Sequence, residues 1–155
     1  MPNKNQSFNW IQQSAKTKVF VDEKIKDVNN PIRGVYGIFI QDKNGKSECA
    51  YIGRADSIYG RMFYSNGHIS MLKNKNHYAS KLNKSMDDDT KTIHIKILQE
   101  VPLIFDNYHK DTHRLAFAEY YWISFYQEIG QCLEQLPEGK NISEAYWNKK
   151  RNQDL

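Results

Sequence analysis

The segment that most constrains this chain is a pair of β-like runs with an Asn-Gly turn signal between them. Gly34-Val-Tyr-Gly-Ile-Phe-Ile40 and Glu48-Cys-Ala-Tyr-Ile-Gly53 are rich in β-branched and aromatic residues, and Asp42-Lys-Asn-Gly-Lys46 separates them. Asn-Gly between two such runs is the strongest short-range hairpin signal, because both turn residues tolerate positive φ. A two-residue turn at Asn44-Gly45 pairs Tyr36 with Gly53 and Ile38 with Tyr51. Tyr36 and Tyr51 then share one face as diagonal neighbours, about 7–8 Å apart at the backbone and within reach of each other's rings. A longer turn would slide this register.

The remaining segments supply a third strand and several helices. Lys-Thr-Ile-His-Ile-Lys-Ile-Leu over 91–98 alternates, with Ile93, Ile95 and Ile97 on one face and His94 and Lys96 on the other. After Gly53, Asp56 is a candidate cap for a short helix carrying Ile58, Arg61 and Met62, broken at Asn66-Gly67. A second helical piece spans His77 to Lys84. Over 112–128, Leu115, Ala118, Trp122, Phe125 and Tyr126, with Ile129 just beyond, share one helix face, and Glu119 falls at its margin beside Trp122 and Tyr126. A carboxylate at the edge of a buried stripe costs several kcal/mol unless something pairs it. The reading is an α/β (α+β) domain with a small, mainly antiparallel sheet of about three strands flanked by helices. Residues 1–30 are an N-terminal extension, 31–148 the domain, and 149–155 a basic tail.

Composition narrows the function classes. A length of 155 residues suits one domain and a core that needs no staples. Two cysteines, Cys49 and Cys132, make no disulfide framework or metal-ligand pattern, so a reducing, cytoplasmic setting is the expectation. No stretch approaches 18 apolar residues, and no membrane role is expected. The net charge of +4 is modest, but between Tyr51 and Ser85 six basic residues, Arg54, Arg61, Lys73, Lys75, Lys81 and Lys84, face Asp56 alone. Tyr51, Tyr59, Phe63, Tyr64 and Tyr78 are interleaved with them. Phosphate-neutralising and stacking groups mixed in this way mark a candidate nucleic-acid surface, although a solvated helical face over core aromatics has the same composition.

The order of residues is more specific. Gly34-Val35-Tyr36, Tyr51-Ile52-Gly53, Arg61, His68, His77, Glu119 and Asn141, read in sequence, resemble the GIY-YIG nuclease family over about residues 34–145. The ten-residue step from Tyr51 to Arg61 is that family's. His68…Leu72…His77 followed by Ser80-Lys81-Leu82 is similar to the pattern of its phage homing endonucleases. Val35 replaces the usual Ile of the first motif. The step from Arg61 to His68 is longer than the family's common four residues, with Ser65-Asn66-Gly67 as the apparent insertion. Either His68 or Tyr64 therefore fills the site position after the arginine, and the nine-residue step to His77 favours His68.

The resemblance implies a metal-dependent endonuclease that leaves 5′-phosphate and 3′-hydroxyl ends. Glu119 would bind one divalent ion, Mg²⁺ or Mn²⁺, with Tyr36 as general base and Arg61 stabilising the pentavalent phosphorane. Tyr51 and His68 would position water or phosphate and relay protons. Arg54, Gly53, Tyr64, His77, Lys81, Lys84 and Asn141 complete the candidate phosphate and nucleic-acid contacts. Gly53 also reads as architectural, His77 equally as helix surface, and Asn141 as holding local structure. The partner is nucleic acid, double-stranded DNA in the first reading, although nothing in the residues separates DNA from RNA. A restriction-type or mobile-element nuclease, with a homodimer as one arrangement, is the first reading. A structure-specific repair or recombination nuclease and a catalytically silent nucleic-acid-binding module are the alternatives.

Overall fold

The computed structural model describes residues 18–132, 134, 135, 145, 148, 149 and 152. Along them run β1 (Val19–Val21), α1 (Glu23–Lys26), β2 (Gly34–Gln41), β3 (Ser47–Ala55), α2 (Ile58–Phe63), α3 (His68–Lys73), α4 (Ser80–Met86), β4 (Thr92–Glu100) and α5 (Tyr108–Glu128). The strands form one sheet in the order β1-β4-β2-β3, antiparallel except for the β1–β4 pair. The α+β class and mainly antiparallel sheet are those expected, with four strands in place of three.

The extra strand is Val19–Val21, which lies inside the stretch expected to be an extension ending at residue 30. Three residues are too few to show alternation in sequence. Their strand state comes from docking on β4, where Val19 and Val21 are buried and Phe20 stacks on His94 with centroids 4.9 Å apart. The domain therefore begins upstream of the expected boundary.

Tyr36 pairs with Gly53 and Ile38 with Tyr51, as the two-residue turn predicts, but by a different route. Next to the turn the pairs are Gln41 with Ser47, Ile40 with Glu48 and Phe39 with Cys49, one step out of register. The turn runs over Asp42–Lys46: Asp42 N–H donates to the Lys46 carbonyl at 2.9 Å, and its carboxylate accepts from the Asn44 and Lys46 amides at 2.9 and 3.0 Å. Ala50, left without a partner, is a bulge that absorbs the extra step.

Both faces of the sheet are covered. Tyr36, Ile38, Ile40, Ile93 and Ile95 pack against α1 to α4 through Ile25, Ile58, Met62, Phe63, Ile69, Leu72 and Leu82. Val35, Phe39 and Ile52 pack under α5 through Leu115, Ala118 and Ile123. Phe125 and Ile129, expected on the buried face of α5, are 43% and 58% exposed, and Ile123 is buried instead. The buried side drifts round the helix along its length, as it does where a straight helix crosses a twisted sheet. Ser57, not Asp56, caps α2 by accepting from the Gly60 amide at 3.1 Å. Asp56 is occupied by Arg33, whose guanidinium also donates to the Val101 and Asp111 carbonyls and so ties β2, β4 and α5 together. The helical piece expected over 77–84 begins at Ser80, and α3 forms ahead of it. No helix among the described residues is long and apolar enough to cross a membrane.

β3 is an edge strand, and such edges expose unpaired amides and carbonyls unless something covers them. Gln131, Cys132 and Gln135 do so here. Gln131 Oε1 accepts from Cys49 N–H at 2.6 Å, and Cys132 N–H donates to the Cys49 carbonyl at 3.1 Å. The buried Gln135 carboxamide accepts from Ile52 N–H at 2.7 Å and donates to the Ile52 carbonyl at 2.6 Å. Gln135→Ala leaves both Ile52 groups without these partners, and urea unfolding should show a loss of about 2–4 kcal/mol. An unchanged midpoint would show that the cover contributes nothing.

Candidate active site

The site is built on the Tyr36–Gly53 pair. The Tyr36 ring is fully buried and lies directly over its cross-strand partner, so a Cβ at Gly53 would come within 2.5 Å of Tyr36 Cζ and closer still to its oxygen. Glycine is required here for close approach, not for a turn. The residue expected at a phosphate is therefore the floor on which the phenol rests.

Two histidines complete a directed chain. Tyr36 Oη is 2.5 Å from His68 Nε2, and His68 Nδ1 is 2.7 Å from His77 Nε2. At the far end the Ala79 backbone N–H donates to His77 Nδ1 at 3.0 Å. A backbone amide can only donate, so His77 Nδ1 carries no proton and its Nε2–H faces His68. His68 Nδ1 then accepts, and His68 Nε2–H donates to the Tyr36 oxygen. The assignment requires neutral rings. Burial pushes His77 down to about 4, with Arg61 acting in the same direction and Glu134 opposing. Burial, with His77 and Arg61, holds His68 well below its ordinary value.

The turn between α2 and α3 sets His68, and not Tyr64, against Tyr36. Asn66 sits at φ 62, and Gly67 packs with its Cα so close to the Arg61, Met62 and Tyr64 carbonyls that a Cβ would lie 2.7–2.8 Å from them. The chain thus doubles back and starts α3 at His68, which points at Tyr36. The Tyr64 ring contacts Tyr59, 6.0 Å away, instead.

Charged groups converge on the same phenols. The Arg61 charge opposes the upward push of burial on the Tyr36 phenol, which nonetheless stays raised. The Tyr36 oxygen accepts from His68 and faces the Arg61 charge, yet burial prevails and holds the phenol well above its ordinary value. Tyr51 packs edge-on to His77 and tilted to His68, with centroids 4.9 and 5.1 Å away, and burial pushes it up to about 12 despite Arg61. Glu119 on α5 is raised by burial, opposed by Arg54 and Arg61, and its charge acts on both Tyr36 and Tyr51. It reaches this position beside β3, where the Arg54 guanidinium stands 3.8 Å away.

Tyr36, Tyr51, Arg54, Arg61, His68 and Glu119 are therefore brought together. His77, expected near a phosphate, is buried and engaged at both ring nitrogens, so it supports His68. Lys81 and Lys84 stand on the exposed side of α4, Lys81 beside Glu48 at 3.5 Å. Asn141 lies outside the described residues. Tyr78, named in sequence only as one aromatic of the basic stretch and not as a site residue, is 56% exposed, 6.2 Å from Tyr51 and 5.6 Å from His77. Its position next to His77 was the available signal. Glu134 was missed too: its carboxylate accepts from the Ser80 and Lys81 amides at 3.1 and 3.3 Å and so caps α4 from a distant part of the chain.

Glu119 is the carboxylate placed to hold a cation. Its arginine partner, at 3.8 Å, is beyond the usual 2.7–2.9 Å of a charge-assisted hydrogen bond, which leaves the carboxylate able to accept a hard ion. Among the described residues no group of three or more His, Cys, Asp or Glu side chains is assembled for a metal. One carboxylate with water and phosphate oxygens fits Mg²⁺, which keeps much of its hydration.

Gly53→Ala should destabilise the fold by about 1–3 kcal/mol through overpacking against Tyr36, measured by urea unfolding; a neutral result would contradict the close approach. The histidine chain carries a pH signature. Unfolded histidines titrate near 6.5, whereas native His77 stays neutral down to about 4. In that window the unfolded chain binds protons that the native state does not, so stability should fall as pH drops from about 6.5 to 4. His77 alone contributes about 3 kcal/mol, with His68 adding in the same direction. His77→Gln should flatten this dependence, and an unchanged pH profile would rule the chain out.

No family model, curated protein or solved structure matches the chain.

Proposed function

We propose that the chain is a divalent-metal-dependent endonuclease of the GIY-YIG type, hydrolysing DNA phosphodiester bonds. The observation that carries this reading is the Tyr36 oxygen, which accepts from His68 on a glycine floor with Arg61 and Glu119 in electrostatic reach. Phosphodiester hydrolysis needs an in-line water, a base for its proton and cations on the developing charge. A phenol with a pKa of about 10 is only about 0.1% ionised at neutral pH. Burial raises the Tyr36 phenol further, and the Arg61 charge acts against that rise; as phenolate the group would take the proton of the attacking water. Arg61 faces the charge that then builds on the phosphorane, and Tyr51 orients water or phosphate. Glu119 would hold one Mg²⁺ or Mn²⁺, which supplies Lewis-acid stabilisation of the phosphate and the leaving 3′-oxygen. Tyr78, exposed beside Tyr51, and the basic residues of 54–84 would meet the nucleic-acid strand. Its sparse cysteines fit an enzyme of the cytoplasm.

Supercoiled plasmid with Mg²⁺ or Mn²⁺ tests the proposal. Wild-type protein should nick it, and Tyr36→Phe and Glu119→Ala should each lose about 100-fold or more. No nicking with either metal, or full activity in Glu119→Ala, would overturn it. Salt-sensitive binding without turnover would favour the silent binding module. A panel of linear, flapped and branched duplexes separates restriction-type from structure-specific cleavage.

A further inference from the structure

Both cysteines of the chain lie outside the chemistry proposed above, and the fold brings them together. Cys49 in β3 and Cys132 after α5 are 83 positions apart, yet their Sγ atoms are 3.0 Å apart in a buried contact. That is about 1 Å beyond the length of a disulfide bond. The backbones already touch, because Cys132 N–H donates to the Cys49 carbonyl at 3.1 Å. Cys132 is also held at φ 56, a left-handed conformation uncommon for a residue of this type, which fixes the direction of its side chain.

We propose that Cys49 and Cys132 are a redox modification site, which a peroxide converts into an intramolecular disulfide riveting Gln131 and Cys132 to the edge of β3. In the first step one sulfur, as thiolate, attacks a peroxide oxygen; the O–O bond breaks and a sulfenic acid forms with release of water. The second thiol then attacks that sulfur, the S–S bond forms and a second water leaves. Two thiols are oxidised and one peroxide is reduced. Because both sulfurs are buried, the reaction is slow while Gln131 and Cys132 lie closed on β3, and exposure has to be prolonged. The site does not depend on the nuclease reading, and its test uses no nuclease assay.

Reduced full-length protein is incubated with hydrogen peroxide and followed by intact mass, thiol titration and a non-reducing gel. The expected result is loss of two hydrogens and of both thiols in a chain that stays monomeric on the gel, with residues 49 and 132 linked in the peptide map. The thermal midpoint should rise by about 10 °C, because the closed loop is long, and fall back with dithiothreitol. Cys132→Ser should show neither the mass loss nor the rise. Thiols that persist, a mass gained in oxygen increments, or chains cross-linked to one another would each overturn the proposal, and these wild-type readouts decide it whether or not the variant folds.

Discussion

The phenol of Tyr36 rests on the bare Cα of Gly53, and the arrangement of the molecule around it depends on that contact. It exists only in the register that sets these two residues opposite each other, and the register survives an irregular turn only because Ala50 bulges. A slip of one residue would turn the phenol to the other face, under α5 instead of toward α2 and α3. Once the ring is in place, the oxygen can be met by α3 through His68 and by α2 through Arg61. The α2–α3 turn, with Asn66 in the left-handed region and Gly67 against three carbonyls, makes both contacts possible at once.

Opposed forces act on that oxygen. Burial disfavours a phenolate, and it acts on Tyr51 as well. Donors oppose it, and their direction is not arbitrary. The Ala79 amide orients His77, His77 orients His68, and His68 is left with its proton aimed at Tyr36. A neutral chain of this kind contributes directed donation without bringing another buried charge into the site. Glu119 joins from the opposite side of the sheet by standing beside β3 at Arg54, so the candidate site wraps round that edge strand. Gln131, Cys132 and Gln135 satisfy the strand's edge groups further along.

Much of this was legible in sequence because it is local. The hairpin, the alternation of Ile93, Ile95 and Ile97, the helix carrying Glu119 and the shared face of Tyr36 and Tyr51 follow from periodicity and turn chemistry. What was not legible depends on distant partners. Val19–Val21 is a strand only because β4 lies beside it. Asp56 loses its capping role to Ser57 because Arg33, 23 positions away, occupies it. Gln135 and Glu134 look like ordinary polar residues until the chain returns them to β3 and α4. Sequence spacing favoured His68 over Tyr64, but the reason it reaches Tyr36 is the φ of Asn66 and the packing of Gly67. His77 was placed near a phosphate because a histidine in a basic stretch carries no sign of burial.

His68 donates to Tyr36 through a chain whose direction is set at Ala79. Histidine tautomers are distinguished by the nitrogen shifts of the two ring positions, so long-range ¹H–¹⁵N spectra of the native protein at neutral pH test it most directly. The expected result is two neutral rings, His68 and His77, both protonated at Nε2 and bare at Nδ1. Protonation at Nδ1 of either ring, or a charged imidazolium at neutral pH, would contradict it.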